Sequence, residues 1–226
     1  RASIVKWHTS TQAAFDAIPD WQGEPPTGVS FFTDGSAAWI QDERRASAAI
    51  IRIVHTAQGD RFGGFRCFTT PADGHAPYAE AAAIFAATLW TVQMCEVFPT
   101  SSTWLVQFHF DCMFAGMAAK GCWSVRAHAQ MQHFTRSLVH CLEARYAIQI
   151  GWFHVPAHTG HPWNEAADAA AWAAVSQWIP CATIEVLLHP LGGEHSMMAW
   201  LWLLEYAEHG HPAFPAVHGG IMNVNV

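Results

Sequence analysis

The chain has 226 residues, 51% hydrophobic and 13% charged, enough for one medium domain with added segments, and disorder over most of its length is excluded. Eleven Lys and Arg against 18 Asp and Glu give a formal charge of −7. Strong non-specific gripping of a phosphate backbone is therefore excluded, and any nucleic-acid role must rest on a local site helped by metal ions. No run approaches the roughly 20 apolar residues of a membrane span, and no cationic-plus-apolar export signal opens the chain.

Residues 1–28 read as a leader, and Arg1 in place of an initiator Met leaves room for a longer polypeptide around the chain. "VSFFTDGS" (29–36) is a short buried strand running into a turn. "ASAAIIRIVHT" (46–56) and "RFGGFRCFTT" (61–70) are two more strands, joined by the hairpin turn "AQGD". "PYAEAAAIFAATLWTVQMCEVF" (77–98) is a long helix with Pro77 at its start. The β-branched and aromatic "STWLVQFHFD" (102–111) is a strand, and "CMFAGMAAKG" is a short helix stopped near Gly121. Residues 123–146 form a helix whose stripe is Trp123, Ala127, Met131, Phe134, Leu138 and Leu142. "AIQIGWFHV" (147–155) alternates as a strand, and 162–178 is a helix with Pro162 in its first turn.

The order β-β-β-α-β-α-α-β-α predicts an α/β fold with three antiparallel strands followed by parallel ones. After Ile179 the composition shifts. The segment 179–226 is set apart as an appendage of unassigned role, with a helix expected over 196–210. Cys67, Cys95, Cys112, Cys122, Cys141 and Cys181 are scattered without a C-x-x-C pair. They read as reduced and mostly buried, which fits an intracellular protein.

The chemistry concentrates in four carboxylates. Asp34 ends the first strand in "FTDGS", Glu80 lies early in the long helix in "YAEAAA", Asp111 ends the fourth strand in "FHFDC", and Asp168 lies on the last helix. Carboxyl ends of strands are where open α/β sheets build their sites. A carboxylate flanked by "VSFFT" or "LVQFHF" is costly to desolvate unless compensated, and a hard cation such as Mg²⁺ would compensate it. One Asp at a strand end is ordinarily a turn residue; four such placements in this order are a different matter. Asn164 and Asp168 are four apart and share a helix face. His158, on a loop with Thr159 and Gly160, can swing toward them, and Glu165 either caps the helix or contacts the site.

This set resembles ribonuclease H of type 1, especially the domain carried by retrotransposon polyproteins. The matching pieces are "FTDGS", "YAEAAAIFAAT", "FHFDC" and "HVPAHTGHPWNEAADAAA", covering about 29–178. The last is similar to the family's His-x-Gly-His…Gly-Asn-Glu-x-Ala-Asp signature. The resemblance implies a ribonuclease-H-like fold with a central five-stranded mixed sheet flanked by helices. It implies that Asp34, Glu80, Asp111 and Asp168 hold two Mg²⁺ ions, with Mn²⁺ as an alternative, and that His158 assists proton transfer or product release. It also implies substrate contacts from Gly35, Ser36 and Asn164, and from Glu80 to a ribose 2′-hydroxyl. The implied reaction is hydrolysis of the RNA strand of RNA–DNA hybrids, leaving 5′-phosphate and 3′-hydroxyl ends.

Several positions depart from the pattern. "SAAWIQDERRASAAI" lacks the glycines that often follow the first Asp, Trp163 replaces the usual Gly before Asn164, and Cys112 stands where Ser or Asn is common. The basic protrusion is missing, since 120–145 holds only Lys120, Arg126, Arg136 and Arg145. His154, His158 and His161 have a spacing compatible with Zn²⁺, although His154 fits better as a strand residue. Trp152, Trp163, Trp172 and Trp178 can stack on bases or pack, and packing is the better reading for most. Arg44 and Arg45 either contact phosphate or sit in a solvated turn.

Two functions from different classes follow: the hybrid-cutting endonuclease, and a non-catalytic module of a retroelement polyprotein. The retained carboxylates and His158 favour the first. The low basic count favours the second, or a domain leaning on a neighbouring reverse transcriptase for substrate grip. An integrase or exonuclease of the same fold is a weaker reading.

Overall fold

The molecule is built around its first strand. In the computed structural model, which describes residues 5, 7–70, 75–98, 104–124, 129–146, 148–177, 217–218 and 221–222, β1 (Pro26–Ile40) lies at the centre of a five-stranded sheet. The sheet is completed by β2 (Glu43–Thr56), β3 (Gly59–Thr69), β4 (Leu105–Phe110) and β5 (Gln149–His154), in the order β3-β2-β1-β4-β5. β1–β2 and β2–β3 are antiparallel; β1–β4 and β4–β5 are parallel. This is the ribonuclease-H-like arrangement expected from the sequence.

Both faces of β1 are covered, which explains its near-continuous apolar run. Phe31 points toward α2 (Ala76–Val97), where it meets Trp90, while Phe32 joins the cluster under α5 (Pro162–Gln177). Runs of alanine let both helices lie close to the sheet: Ala79, Ala81, Ala82, Ala83, Ala86 and Ala87 of α2 are buried, as are Ala166, Ala167, Ala170 and Ala171 of α5. A helix apolar on every side must be enclosed, and α2 is enclosed between the sheet, α3 (Met113–Ala119) and α4 (Ala129–Tyr146). On α4, Met131, Leu138 and Leu142 form the buried stripe expected, but Trp123 lies outside the helix and is exposed. Ala127 falls outside the described residues.

Two expectations change. β1 runs on to Ile40 instead of turning at Ser36, because Ile40 and Glu43 close a two-residue hairpin in which Gln41 (φ 50) and Asp42 (φ 62) both take left-handed backbone. That is the turn geometry that matches strand twist, achieved here without glycine. Arg44 and Arg45 are therefore strand residues, not turn residues. Second, the leader contains a helix, α1 (Thr9–Ala17), whose Phe15 is buried against Phe62 and Trp163 and whose Thr11 hydroxyl donates to the Pro162 carbonyl at 2.9 Å. Of the segment 179–226, only a two-residue pairing of β6 (Val217–His218) with β7 (Ile221–Met222) is described; the helix expected over 196–210 lies outside the described residues.

Candidate active site

The parallel pairing of β1 and β4 ends at Thr33 opposite Phe110. The next residues on the two strands are Asp34 and Asp111, so the register alone places these carboxylates side by side. Gly35 then lets α2 come down on β1. A Cβ at this position would lie 2.2 Å from the Glu80 amide nitrogen and 2.5 Å from the Ala79 carbonyl carbon. The close approach delivers Glu80, in the second turn of α2, to the same spot. Ligand oxygens of Asp34, Glu80 and Asp111 all lie within 4.8 Å of one another.

This clustering has an electrostatic cost. Asp34 and Glu80 are buried, and among the described residues no Lys or Arg is one of the main groups acting on either. Burial first, then the charges of Asp111 and Asp168, push Asp34 up to about 8. Burial first, then Asp34 and Asp111, push Glu80 well above the usual carboxylate range; a hydrogen bond between Asp34 and Glu80 opposes the shift of Asp34, and the Gly35 amide opposes both, without cancelling them. Burial also raises the Cys112 thiol beside this centre. Three clustered carboxyl groups with no counter-ion among the described residues fit a hard divalent cation.

Asp168 lies in a neighbouring group with His158 and Glu165, in which the ligand atoms are again within 4.8 Å of one another. His158 Nδ1 stands 3.8 Å from Asp168 Oδ2, and the loop carrying it includes a left-handed His158 (φ 55). Burial raises Asp168, with His158 opposing and Glu165 and Asp111 reinforcing the shift. Glu165 ties the loop to the helix by accepting the Gly160 amide at 3.1 Å.

Asn164 supports the first group from α5. Its Nδ2 donates to Asp111 Oδ2 at 3.2 Å, and its buried Oδ1 has no partner among the described residues. His154 Nε2 lies 3.1 Å from the Asp111 carbonyl oxygen, a support the sequence reading missed because its only signal was a histidine at a strand end. Gly35 and Ser36 are half-buried on β1 beyond Asp34.

The three histidines of the Zn²⁺ reading do not converge: His154 serves Asp111, His158 faces Asp168, and His161 stacks on Phe32. Trp152 stacks on Phe108 and Trp163 packs on Phe15 and Phe62; Trp172 is exposed, and Trp178 lies outside the described residues. Arg44 meets His75, and Arg45 pairs with Glu43 at 3.2 Å.

The family model for RNase H matches residues 26–176, about two thirds of the chain. This chain belongs to the RNase H family. Among solved structures, the N-terminal RNase H domain of a Mycobacterium tuberculosis protein is 16% identical, with 66% of this chain and 99% of that one covered and a TM-score of 0.44. RNase H1 from the archaeon Halobacterium salinarum is 17% identical, with 63% and 96% covered and a TM-score of 0.42. LC11-RNase H1, solved in complex with an RNA/DNA hybrid, is 17% identical, with 66% and 99% covered and a TM-score of 0.46. No curated protein matches the chain. The cysteines are less buried than expected: Cys95 is buried, Cys67, Cys112 and Cys141 are half-buried and Cys122 is exposed, while Cys181 lies outside the described residues. No described helix is long and apolar enough to cross a membrane.

Proposed function

We propose that this RNase H chain is a metal-dependent endonuclease that hydrolyses the RNA strand of RNA–DNA hybrids, leaving 5′-phosphate and 3′-hydroxyl ends. The observation that carries the reading is the trio Asp34, Glu80 and Asp111, held within 4.8 Å and without a counter-charge among the described residues. These three and Asp168 would hold two Mg²⁺ ions, with Mn²⁺ as the alternative. When bound, the ions supply Lewis-acid activation of a water and charge neutralisation at the leaving oxygen.

The chain's own residues do the rest. Asn164 orients Asp111 through its amide and offers its unused buried oxygen to a hydroxyl or water. His158, exposed and 3.8 Å from Asp168, takes or releases a proton at the edge of the centre. Glu80 is the group we assign to a ribose 2′-hydroxyl, the feature that separates RNA from DNA. Gly35 and Ser36 present β1 backbone to the substrate strand.

The net charge of −7 fits a domain that draws substrate grip from a neighbour; we assign that neighbour to a reverse transcriptase in a retroelement polyprotein, working in a reducing, intracellular setting. The same low basic content favours the second reading, a non-catalytic module. A substrate panel separates the two. Purified chain with Mg²⁺ is expected to cut the RNA of a labelled hybrid and to leave duplex DNA, duplex RNA and single strands intact. Indiscriminate cutting of the panel would overturn the hybrid assignment, and a folded, metal-loaded chain that cuts nothing would be the non-catalytic module.

A further inference from the structure

Arg52 is a buried charge that the catalytic reading leaves unused. It sits on β2 at 9% exposure, and its Nε has no hydrogen-bond partner among the described residues. The guanidinium carbon lies 5.1 Å from the centroid of the Trp90 ring on α2, a cation–π contact. Arg52 is paired with Phe31 and Arg66 with Ile50, and both partners belong to the core under α2, so the two arginines share one sheet face. Burial first, and the like charge of Arg66 second, pull Arg52 down to about 10, so it stays protonated at neutral pH.

No ion pair reaches either arginine among the described residues. The contrast with other arginines is clear: Arg45 holds Glu43 and Arg61 holds Glu24, each at 3.2 Å, while Arg136 donates to the carbonyls of Ala118 and Trp123. The local backbone makes way for the Arg52 side chain. The β2–β3 register slips between Ile51 and Ile53, setting Gly63 and Gly64 opposite Arg52. Gly64 takes φ +87, and a Cβ there would lie 3.0 Å from Arg52 Nη2. A side chain is thus missing where the guanidinium comes to rest. Trp90 is ten residues beyond Glu80 on α2, roughly 15 Å along a helix, which separates this place from the carboxylate centre.

Two adjacent cations, one of them largely desolvated on an aromatic face and neither paired, call for an anion. A carboxylate would balance one of the charges; a phosphomonoester dianion balances both, and its three terminal oxygens suit forked donors. We propose that Arg52 and Arg66, seated on Trp90 and the Gly63–Gly64 bulge, form a binding site for a phosphomonoester-type dianion, supplied either as free phosphate or as the terminal phosphate of a nucleic-acid end.

The test is calorimetric titration of the full chain with inorganic phosphate, in EDTA so that the carboxylate centre holds no divalent cation, with acetate at matched ionic strength as control. Saturable phosphate binding is expected, weakened at least about tenfold by Arg66→Gln and by Arg52→Gln, the loss expected for charge-assisted contacts. Arg66 is exposed, so R66Q reads the site even where R52Q lowers stability. A 5′-phosphorylated DNA oligonucleotide compared with its 5′-hydroxyl form separates the sources: preference for the phosphorylated end assigns the site to nucleic-acid termini, and binding of phosphate alone assigns it to the free ion. Absence of saturable binding, unchanged affinity in R66Q, or equal R66-dependent binding of acetate, of an oligoglutamate peptide or of the 5′-hydroxyl oligonucleotide would overturn the proposal.

Discussion

Carboxylates packed together away from water are a liability until a cation joins them, and this sets the behaviour of Asp34. Its folded pKa of about 8 lies above the ordinary 3.8. In the metal-free chain the stability tied to this group is therefore fully present below about pH 4 and is lost as pH rises toward 8. Metal-free protein is expected to melt at lower temperature at pH 8 than at pH 5, and Asp34→Asn to raise stability at pH 8 by at least about 2 kcal/mol, or roughly 5 °C in Tm. Calorimetric melts at both pH values in EDTA measure this; an Asn variant no more stable than wild type at pH 8 would remove the electrostatic argument. The sequence displayed Asp34, Glu80, Asp111 and Asp168 plainly because each sits in a short motif of its own. It did not display the support that Asn164 gives Asp111, because that bond joins residues 53 apart in the chain and it takes the packing of α5 on β1, next to β4, to bring them together.

At the scale of elements, the approach of α2 to β1 decides whether Glu80 reaches the strands. Gly35→Ala would drive a methyl into the backbone at Ala79 and Glu80. It is expected to cost about 3 kcal/mol or more and to weaken divalent-ion binding with it; wild-type stability and ion affinity in this variant would show that the helix can yield. Helix α1 makes a second test. Phe15 is 1% exposed in a cluster with Phe62 and Trp163, so Phe15→Ala should cost about 3–5 kcal/mol in a denaturant melt of the full chain, and a loss below about 1 kcal/mol would mean that α1 is an ornament. Neither α1 nor the tip of β1 was legible in the sequence. The apolar signal of α1 is thin, resting on Phe15 and its neighbour Trp7, and the Gln41–Asp42 turn lacks the Asn-Gly or Asp-Gly chemistry by which hairpins are recognised. The strands and helices with long apolar periods, such as α2 and β4, were legible to within a few residues because burial on one or both faces leaves its period in the sequence.

For the whole molecule, one sheet carries two charged groups of opposite sign. Its antiparallel half, β1 to β3, carries the carboxylate Asp34, the Arg52–Arg66 pair and the ground on which α5 aligns Asn164 and Asp168, while its parallel half supplies Asp111. The net charge of −7 is spread over a molecule whose described arginines are mostly tied to internal partners. Local chemistry, not a basic surface, must therefore hold any substrate.

The decisive measurement compares wild type and Asp34→Asn on a labelled RNA–DNA hybrid across a Mg²⁺ titration. Cutting of the RNA strand that rises with Mg²⁺, and falls by about a hundredfold to a thousandfold in the folded Asn variant, is the expected result, the size of loss seen when a main electrostatic group of an active site is removed. Equal cutting by both proteins, or none by folded wild type with either Mg²⁺ or Mn²⁺, would contradict the assignment of this carboxylate centre to catalysis.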